Sequence, residues 1–388
     1  SILFIFRFLP FALIIYYLTP NKGKNIILIL LSLIFYSWGE PKYFILMILS
    51  ILVDFFIALA IERNSTNKLY KSIFLLLSIL FNLAMLFLFK YINFFINNFN
   101  DFFKLSITNV NLTLPLGISF YTFQTMSYTI DVFKGKTRAE RNIINFGAYV
   151  SLFPQLIAGP IVKYTDIKKE LLKKDLSFKK VEKGLKLFIL GLAKKVLIAN
   201  NIGMLWTEVE KIGFEKVSTP LAWMGVLAFS LQIYFDFSGY STMAIGLGKM
   251  LGFNFPENFN FPYISRSISE FWRRWHITLG AWFKEYVYIP LGGNKGSKTR
   301  LCVNLVILWF LTGFWHGSSY NFILWGLFFF ILIYIEKIGF IKILNTYKVF
   351  SHIYVSFFLI IGWCIFAITD LKELINLFNR MFIFHGGI

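Results

Sequence analysis

Two of the four histidines in this 388-residue chain follow a tryptophan in largely apolar surroundings, as Trp275-His276 and Trp315-His316. Imidazole is the side chain best able to accept and return a proton near neutral pH. His316 stands between two apolar runs, Leu301–Trp315 and Asn321–Ile335, which leave it no obvious water. Keeping an ionisable group at such a depth costs desolvation energy, so it marks a functional site by default. The competing reading is that either histidine hydrogen-bonds a neighbouring helix and fixes packing. A second candidate set lies in the run Leu221–Leu251. Gln232, Asp236 and Tyr240 follow at i, i+4 and i+8, with Ser238 between them, and form one polar stripe on a helix. That stripe must face the bundle interior, either lining a substrate path or hydrogen-bonding another helix. Two candidate ligands without HxxxH spacing do not make a metal site. Cys302 and Cys364 lie in separate apolar runs and read as small packing residues. His352 and His385 have no partner motif and read as structural.

The elements that must position these residues follow from periodicity. At about 100° per residue, a single helix over Ser267–Tyr286 places Ile268, Phe271, Trp272, Trp275, Leu279, Trp282, Phe283 and Tyr286 on one stripe. His276 falls at its edge, with Arg273, Arg274, Lys284 and Glu285 off it. Such a basic, aromatic, amphipathic helix suits a membrane surface. Val303–Glu336 must leave and return in too few residues for two easy crossings, which places the Trp315-His316-Gly317 turn within the membrane. Asn142–Ile161 is apolar, but both flanks are basic, with eight lysines against four acids in Lys163–Lys183. One crossing takes about 20 residues, so this piece is expected to be re-entrant or broken at Pro154, Gly159 and Pro160. Irregular backbone at that depth is tolerated where it is buried in protein or lines a cavity.

The composition agrees: 57% of residues are hydrophobic, 20% are aromatic, and 48 are phenylalanine. Soluble domains are about 45–50% apolar. Apolar runs at Ile2–Leu18, Ile26–Trp38, Tyr43–Ile61 and Ile73–Ile96 alternate with loops rich and poor in Lys and Arg. The first and third loops carry the cations, so the N-terminus is expected outside. The net charge of +19 is thus a topology and anionic-lipid signal, and no nucleic-acid motif accompanies it. No cleavable leader is expected, since the opening run reads as a first span. Asp54 and Lys90 interrupt the third and fourth runs at opposite depths and are expected to be structural, Asp54 as a lone polar contact and Lys90 by snorkelling. Lys163–Lys183 reads as a solvated or lipid-anchoring face. Lys194 and Lys195 either face a wet interior or snorkel.

The stretches FWRRWHITLGAWFKEYVYIPLGGN (271–294) and NLVILWFLTGFWHG (304–317) closely resemble the membrane-bound O-acyltransferase family. The branch resembled is that of the bacterial alginate and polysaccharide O-acetyltransferases. The likeness extends to Leu114–Gly135, Ser151–Ile161 and Leu231–Tyr263. Thr242 departs from it, standing where this branch leads one to expect aspartate. The resemblance implies an all-α, polytopic membrane bundle with re-entrant and broken helices around a central tunnel. It also implies one domain over residues 1–388, with further C-terminal helices expected in a full-length member.

The activity implied is movement of an acyl group, acetyl in this branch, from a cytoplasmic donor for O-acetylation of an extracellular or cell-wall polysaccharide. His316 is then the catalytic histidine, with His276 orienting the donor or relaying acyl or proton. Trp272, Trp315, Asp236, Gln232, Ser238 and Tyr240 are the substrate-binding candidates. No cofactor is expected to stay bound; the donor would be acetyl-coenzyme A or an acyl carrier. The expected partners are the bilayer, the polymer and an extracellular SGNH-type acyltransferase or esterase-like protein, with no nucleic acid. The expected location is the bacterial cytoplasmic membrane. The rival activities are D-alanyl transfer to teichoic acid and, in another class, non-enzymatic transport, for which no inverted repeat is evident.

Overall fold

In hydrocarbon every peptide group must be satisfied within its own segment, so apolar runs of span length become helices. The computed structural model describes residues 2–157 and 159–386, and among them all regular structure is helical. The first four helices are α1 (Phe4–Leu18), α2 (Lys24–Gly39), α3 (Phe44–Arg63) and α4 (Lys68–Phe103). Then come α5 (Ile118–Phe133), α6 (Ile143–Ser151), α7 (Tyr164–Leu172), α8 (Phe178–Ile212) and α9 (Thr219–Met250). Further along are α10 (Ile268–Arg274), α11 (Ile277–Phe283), α12 (Lys298–His316), α13 (Tyr320–Ile335), α14 (Lys348–Ala367) and α15 (Leu371–Phe382). Of these, α3, α4, α8, α9 and α14 are long and apolar enough to cross a membrane. This is an all-α, multi-pass membrane protein.

The chain forms two compact units, Ser1–Ile189 with Ser241–Pro256 and Leu190–Tyr240 with Glu257–Ile388, and α8 and α9 contribute to both. In the first unit the apolar segment between basic flanks is broken as expected. Leu152 leaves helical geometry after α6, and Pro154 sits in a single turn, Phe153–Leu156. The flanks meet where the Tyr164 hydroxyl donates to Glu140 Oε2 at 2.5 Å, beside the Tyr128 hydroxyl, which accepts from the Glu140 amide at 2.7 Å. The tip lies at the opposite end of α5, where the Leu156 carbonyl is so close to Gly117 that an added Cβ would stand 2.6 Å from it. Gly117 also has φ +74°, so glycine is required there twice over. The segment therefore enters and returns at one end of a 16-residue helix, about 24 Å long.

Three expectations need correction here. Asp54 is not a lone contact. Its carboxylate accepts from Ser78 Oγ at 2.5 Å and Asn82 Nδ2 at 2.8 Å, and Thr129 and Thr125 extend the network at 2.9 Å each. Residues spaced one turn apart on three helices supply it, and no single-helix pattern shows that. Second, α4 continues to Phe103, past the end of the apolar run at Ile96. Asn98 Nδ2 bonds back to the Phe94 carbonyl at 2.7 Å, and the Phe99 and Phe103 rings pack at a tilt with centroids 4.4 Å apart. Third, the lysine-rich stretch is not simply solvated. Lys174 lies 3.9 Å from the Phe253 ring centroid, and burial lowers its pKa to about 7.

In the second unit the core is aromatic, built on Phe271, Trp275, Trp309, Trp325, Phe329 and Trp363. Helices α12 and α13 form the hairpin that the turn at Gly317 requires. They cross so closely that a Cβ on Gly313 would meet the Phe322 carbonyl at 2.2 Å, and one on Gly326 the Trp309 carbonyl at 2.3 Å.

Candidate active site

The stretch read as one helix, Ser267–Tyr286, is two. Helix α10 stops at Arg274, Trp275 is extended (φ −100°, ψ 131°), and His276 is left-handed (φ 43°, ψ 54°) before α11 begins. A left-handed residue with a Cβ costs about 1–2 kcal/mol, and neighbouring contacts offset this. The strand-like loop that follows α9 satisfies the freed backbone groups. Asn260 N donates to the Arg274 carbonyl at 2.9 Å, and Ile277 N donates to the Asn258 carbonyl at 2.9 Å. The apolar stripe of the expected helix is buried nonetheless. Ile268, Phe271, Trp275, Leu279, Trp282, Phe283 and Tyr286 pack into the protein's own interior instead of lying along a membrane surface.

The start of α10 is held from both sides of its cap. Ser267 Oγ accepts from the Glu270 amide at 2.9 Å, an N-cap bond. Buried Glu336, just past α13, accepts from the amides of Ile268 at 2.6 Å and Ser269 at 2.8 Å. A carboxylate at a helix N-terminus satisfies donors that have no partner inside the helix.

These elements enclose a cavity of about 400 Å³ lined by Trp272, His276, Trp309, Thr312 and His316, among others. Arg273 and Lys284 line it too, and both are exposed. His276 is only 3% exposed. Its ring stands edge-on to Phe237 at 4.7 Å, and its Nδ1 is 3.0 Å from Asn258 Oδ1. His316 ends α12, with Trp325 at 5.1 Å and Phe366 at 5.3 Å between ring centroids. The Trp315 ring lies 6.2 Å from that of His276 and 5.0 Å from that of His316. Trp272 packs edge-on against Trp309, Trp325 and Phe329 at 5.0–5.2 Å. Among the buried polar atoms of the lining residues without a hydrogen-bond partner are His276 Nε2 and Trp272 Nε1. One can accept and the other donate, so the cavity matches a ligand bearing both a donor and an acceptor.

The structure thus brings His276, His316, Trp272 and Trp315 together. The polar stripe of α9 lies elsewhere. Asp236 pairs with Lys195 on α8, and Gln232 packs against Gly203 so closely that a Cβ there would meet its Nε2 at 2.4 Å. Asp236, Gln232, Ser238 and Tyr240 are not among the cavity-lining residues, nor is Thr242. The residue of α9 that meets His276 is Phe237, one position from the stripe. The sequence reading missed Asn258, Thr312 and Glu336. Asn258 looked like loop punctuation in FNFPENFNF, and Glu336 like the polar end of a span. Among the described residues no group of three potential ligands could hold a metal.

The sequence profile of the membrane-bound O-acyltransferase family matches residues 30–372. The chain is 38% identical over 392 residues to the probable alginate O-acetylase of Pseudomonas aeruginosa, covering 99% of this chain and 74% of that one. It is 39% identical over 360 residues to the peptidoglycan O-acetyltransferase of Helicobacter pylori, with 84% and 67% covered. A teichoic acid D-alanyltransferase of Bacillus subtilis is 30% identical over 229 residues, covering 56% of this chain and 58% of its own length. This chain belongs to the membrane-bound O-acyltransferase family.

Proposed function

We propose that this O-acyltransferase moves an acetyl group from a cytoplasmic thioester donor to the outer side of the bacterial cytoplasmic membrane, for O-acetylation of an extracellular or cell-wall polysaccharide. The observation that carries this reading is one cavity of about 400 Å³ lined by His276, His316 and Trp272, with Arg273 and Lys284 also on its lining. The two cations suit the phosphates of a coenzyme A or phosphopantetheine donor. The N-terminus is then outside, and the donor approaches past α10 and the loop at 292–300.

In the transfer itself, His316 takes the proton of the attacking hydroxyl as that oxygen bonds to the acyl carbon. The carbonyl electron pair moves onto oxygen, where the Trp272 indole N–H supplies a donor. As the pair returns, the carbon–sulfur bond breaks and the departing thiolate recovers the proton from the imidazolium. His276 orients the donor within the cavity, and Trp315 packs against both imidazoles. An extracellular SGNH-type acyltransferase or esterase-like partner completes delivery to the polymer.

Support for acetyl over D-alanyl comes from the extent of likeness, nearly full-length to an acetylase and about half-length to a D-alanyltransferase. The test is a donor assay on protein in liposomes, with radiolabelled acetyl-coenzyme A and, separately, D-alanyl carrier protein. Transfer or hydrolysis of acetyl by the wild type, and its loss by about 10²–10⁴-fold in His316→Ala, is expected. Turnover of the D-alanyl carrier alone would overturn the acetyl assignment, and full activity of His316→Ala would remove His316 from the mechanism.

A further inference from the structure

The environment of His276 fixes more than its position. Asn258 Oδ1 lies 3.2 Å from the Thr278 amide, 2.9 Å from Thr278 Oγ1 and 3.0 Å from His276 Nδ1. A backbone amide can only donate, so the atom facing it must be the amide oxygen of Asn258. That oxygen cannot donate in turn. The hydrogen between Asn258 and His276 therefore belongs to Nδ1, and the neutral imidazole carries its lone pair on Nε2. Nε2 is buried without a hydrogen-bond partner, and the residue lines the cavity. Leaving a buried acceptor unsatisfied costs about 1–3 kcal/mol, so an atom of this kind on a cavity lining calls for a donor from a ligand or an ordered water.

We propose that Asn258 is a positioning residue that locks His276 in its Nδ1–H tautomer, so that Nε2 is held ready to accept a hydrogen bond from an O–H or N–H of the bound substrate. The ring has three restraints. Its backbone is fixed in the left-handed region, Asn258 holds one edge, and Phe237 packs at right angles to it. The loop also anchors the break itself, since the Asn258 carbonyl accepts from Ile277 N at 2.9 Å. One asparagine thus sets both the kink and the tautomer, and the substrate specificity that follows is chemical. A ligand reaching His276 must present a hydrogen-bond donor.

The inference rests on the O-acyltransferase reading for the use made of Nε2, but the tautomer can be tested apart from any turnover. Full-length protein with ring-¹⁵N histidine, in nanodiscs, has only four histidines to resolve, and His276→Gln assigns the signal. The wild type is expected to show His276 with Nδ1 protonated and Nε2 bare. Asn258→Leu should lose that fixed tautomer and lower kcat about a hundredfold. Asn258→Asp, which keeps an acceptor oxygen, should retain the Nδ1–H form and restore kcat to within about tenfold of the wild type. Thr278→Val, which takes the hydroxyl donor off the same Asn258 oxygen, should leave the tautomer unchanged. A bare Nδ1 in the wild type would overturn the proposal even if Asn258→Leu fails to fold. So would an unaltered tautomer in a folded Asn258→Leu protein. Failure of the donor assay with an intact Nδ1–H signal would instead count against the functional reading alone.

Discussion

Each unit of the molecule buries a cluster of polar side chains, and the two clusters differ in one respect. Around Asp54, every polar atom that the network joins is answered: both carboxylate oxygens accept, and Asn82 uses both ends of its amide. Around the histidines the account is left open, with His276 Nε2 and Trp272 Nε1 unpartnered. Closed networks rigidify a fold, and open ones are where a ligand can be recognised. Degree of burial does not separate them, since Asp54 is fully buried and His276 nearly so. Completion does.

The sharpest way to break this comparison is to open the closed cluster. Asp54→Leu leaves Ser78 and Asn82 without their acceptor and should cost about 2–4 kcal/mol of stability, in line with one or two orphaned buried groups. Thermal unfolding in detergent would register it, while kcat per folded molecule should hold. A fall in kcat with unchanged stability would move Asp54 into the chemistry. Next in size is the cavity's own donor. Trp272→Phe keeps the aromatic packing and deletes the N–H, so kcat should fall roughly ten- to a hundredfold with the melting temperature nearly constant. The reverse pattern would make the indole nitrogen irrelevant to the reaction.

The smallest effect is expected at Asp236 and Lys195. The pair links the spans α8 and α9 away from the cavity lining, and polar contacts between membrane helices contribute about 0.6–2 kcal/mol. A double-mutant cycle of Asp236→Asn and Lys195→Met should give a coupling within that range and turnover within about threefold of the wild type. A loss comparable to that of Trp272→Phe would return the α9 stripe to the substrate path.

How much of this could be read beforehand depended on the range of the interactions. Span positions, the return at Gly317 and the broken segment at Pro154 follow from local composition and charge, and the helices sit accordingly. A joint role for His276 and His316 is implied by the family resemblance, and both line one cavity. The break between Trp275 and His276 was not anticipated. Its stripe is a good helical one, and the left-handed turn is imposed by a loop some 18 residues upstream in the chain. The same distance hid Asn258. On α9 the periodicity correctly grouped Gln232, Asp236 and Tyr240 on one face, but which helix that face meets is a tertiary fact. Phe237, an unremarked aromatic, became the contact instead.

The clamp by Glu336 has a mechanical consequence. Helix α13 leads from the turn beside His316 to Glu336, and Glu336 grips the first amides of α10. Helix α10 leads in turn to His276, whose ring packs towards Trp315 at the end of α12. Chain and hydrogen bonds therefore close into a loop, a truss of helices and bonds. In such a frame the spacing of the two imidazoles follows from the lengths of its members, all of them within the protein.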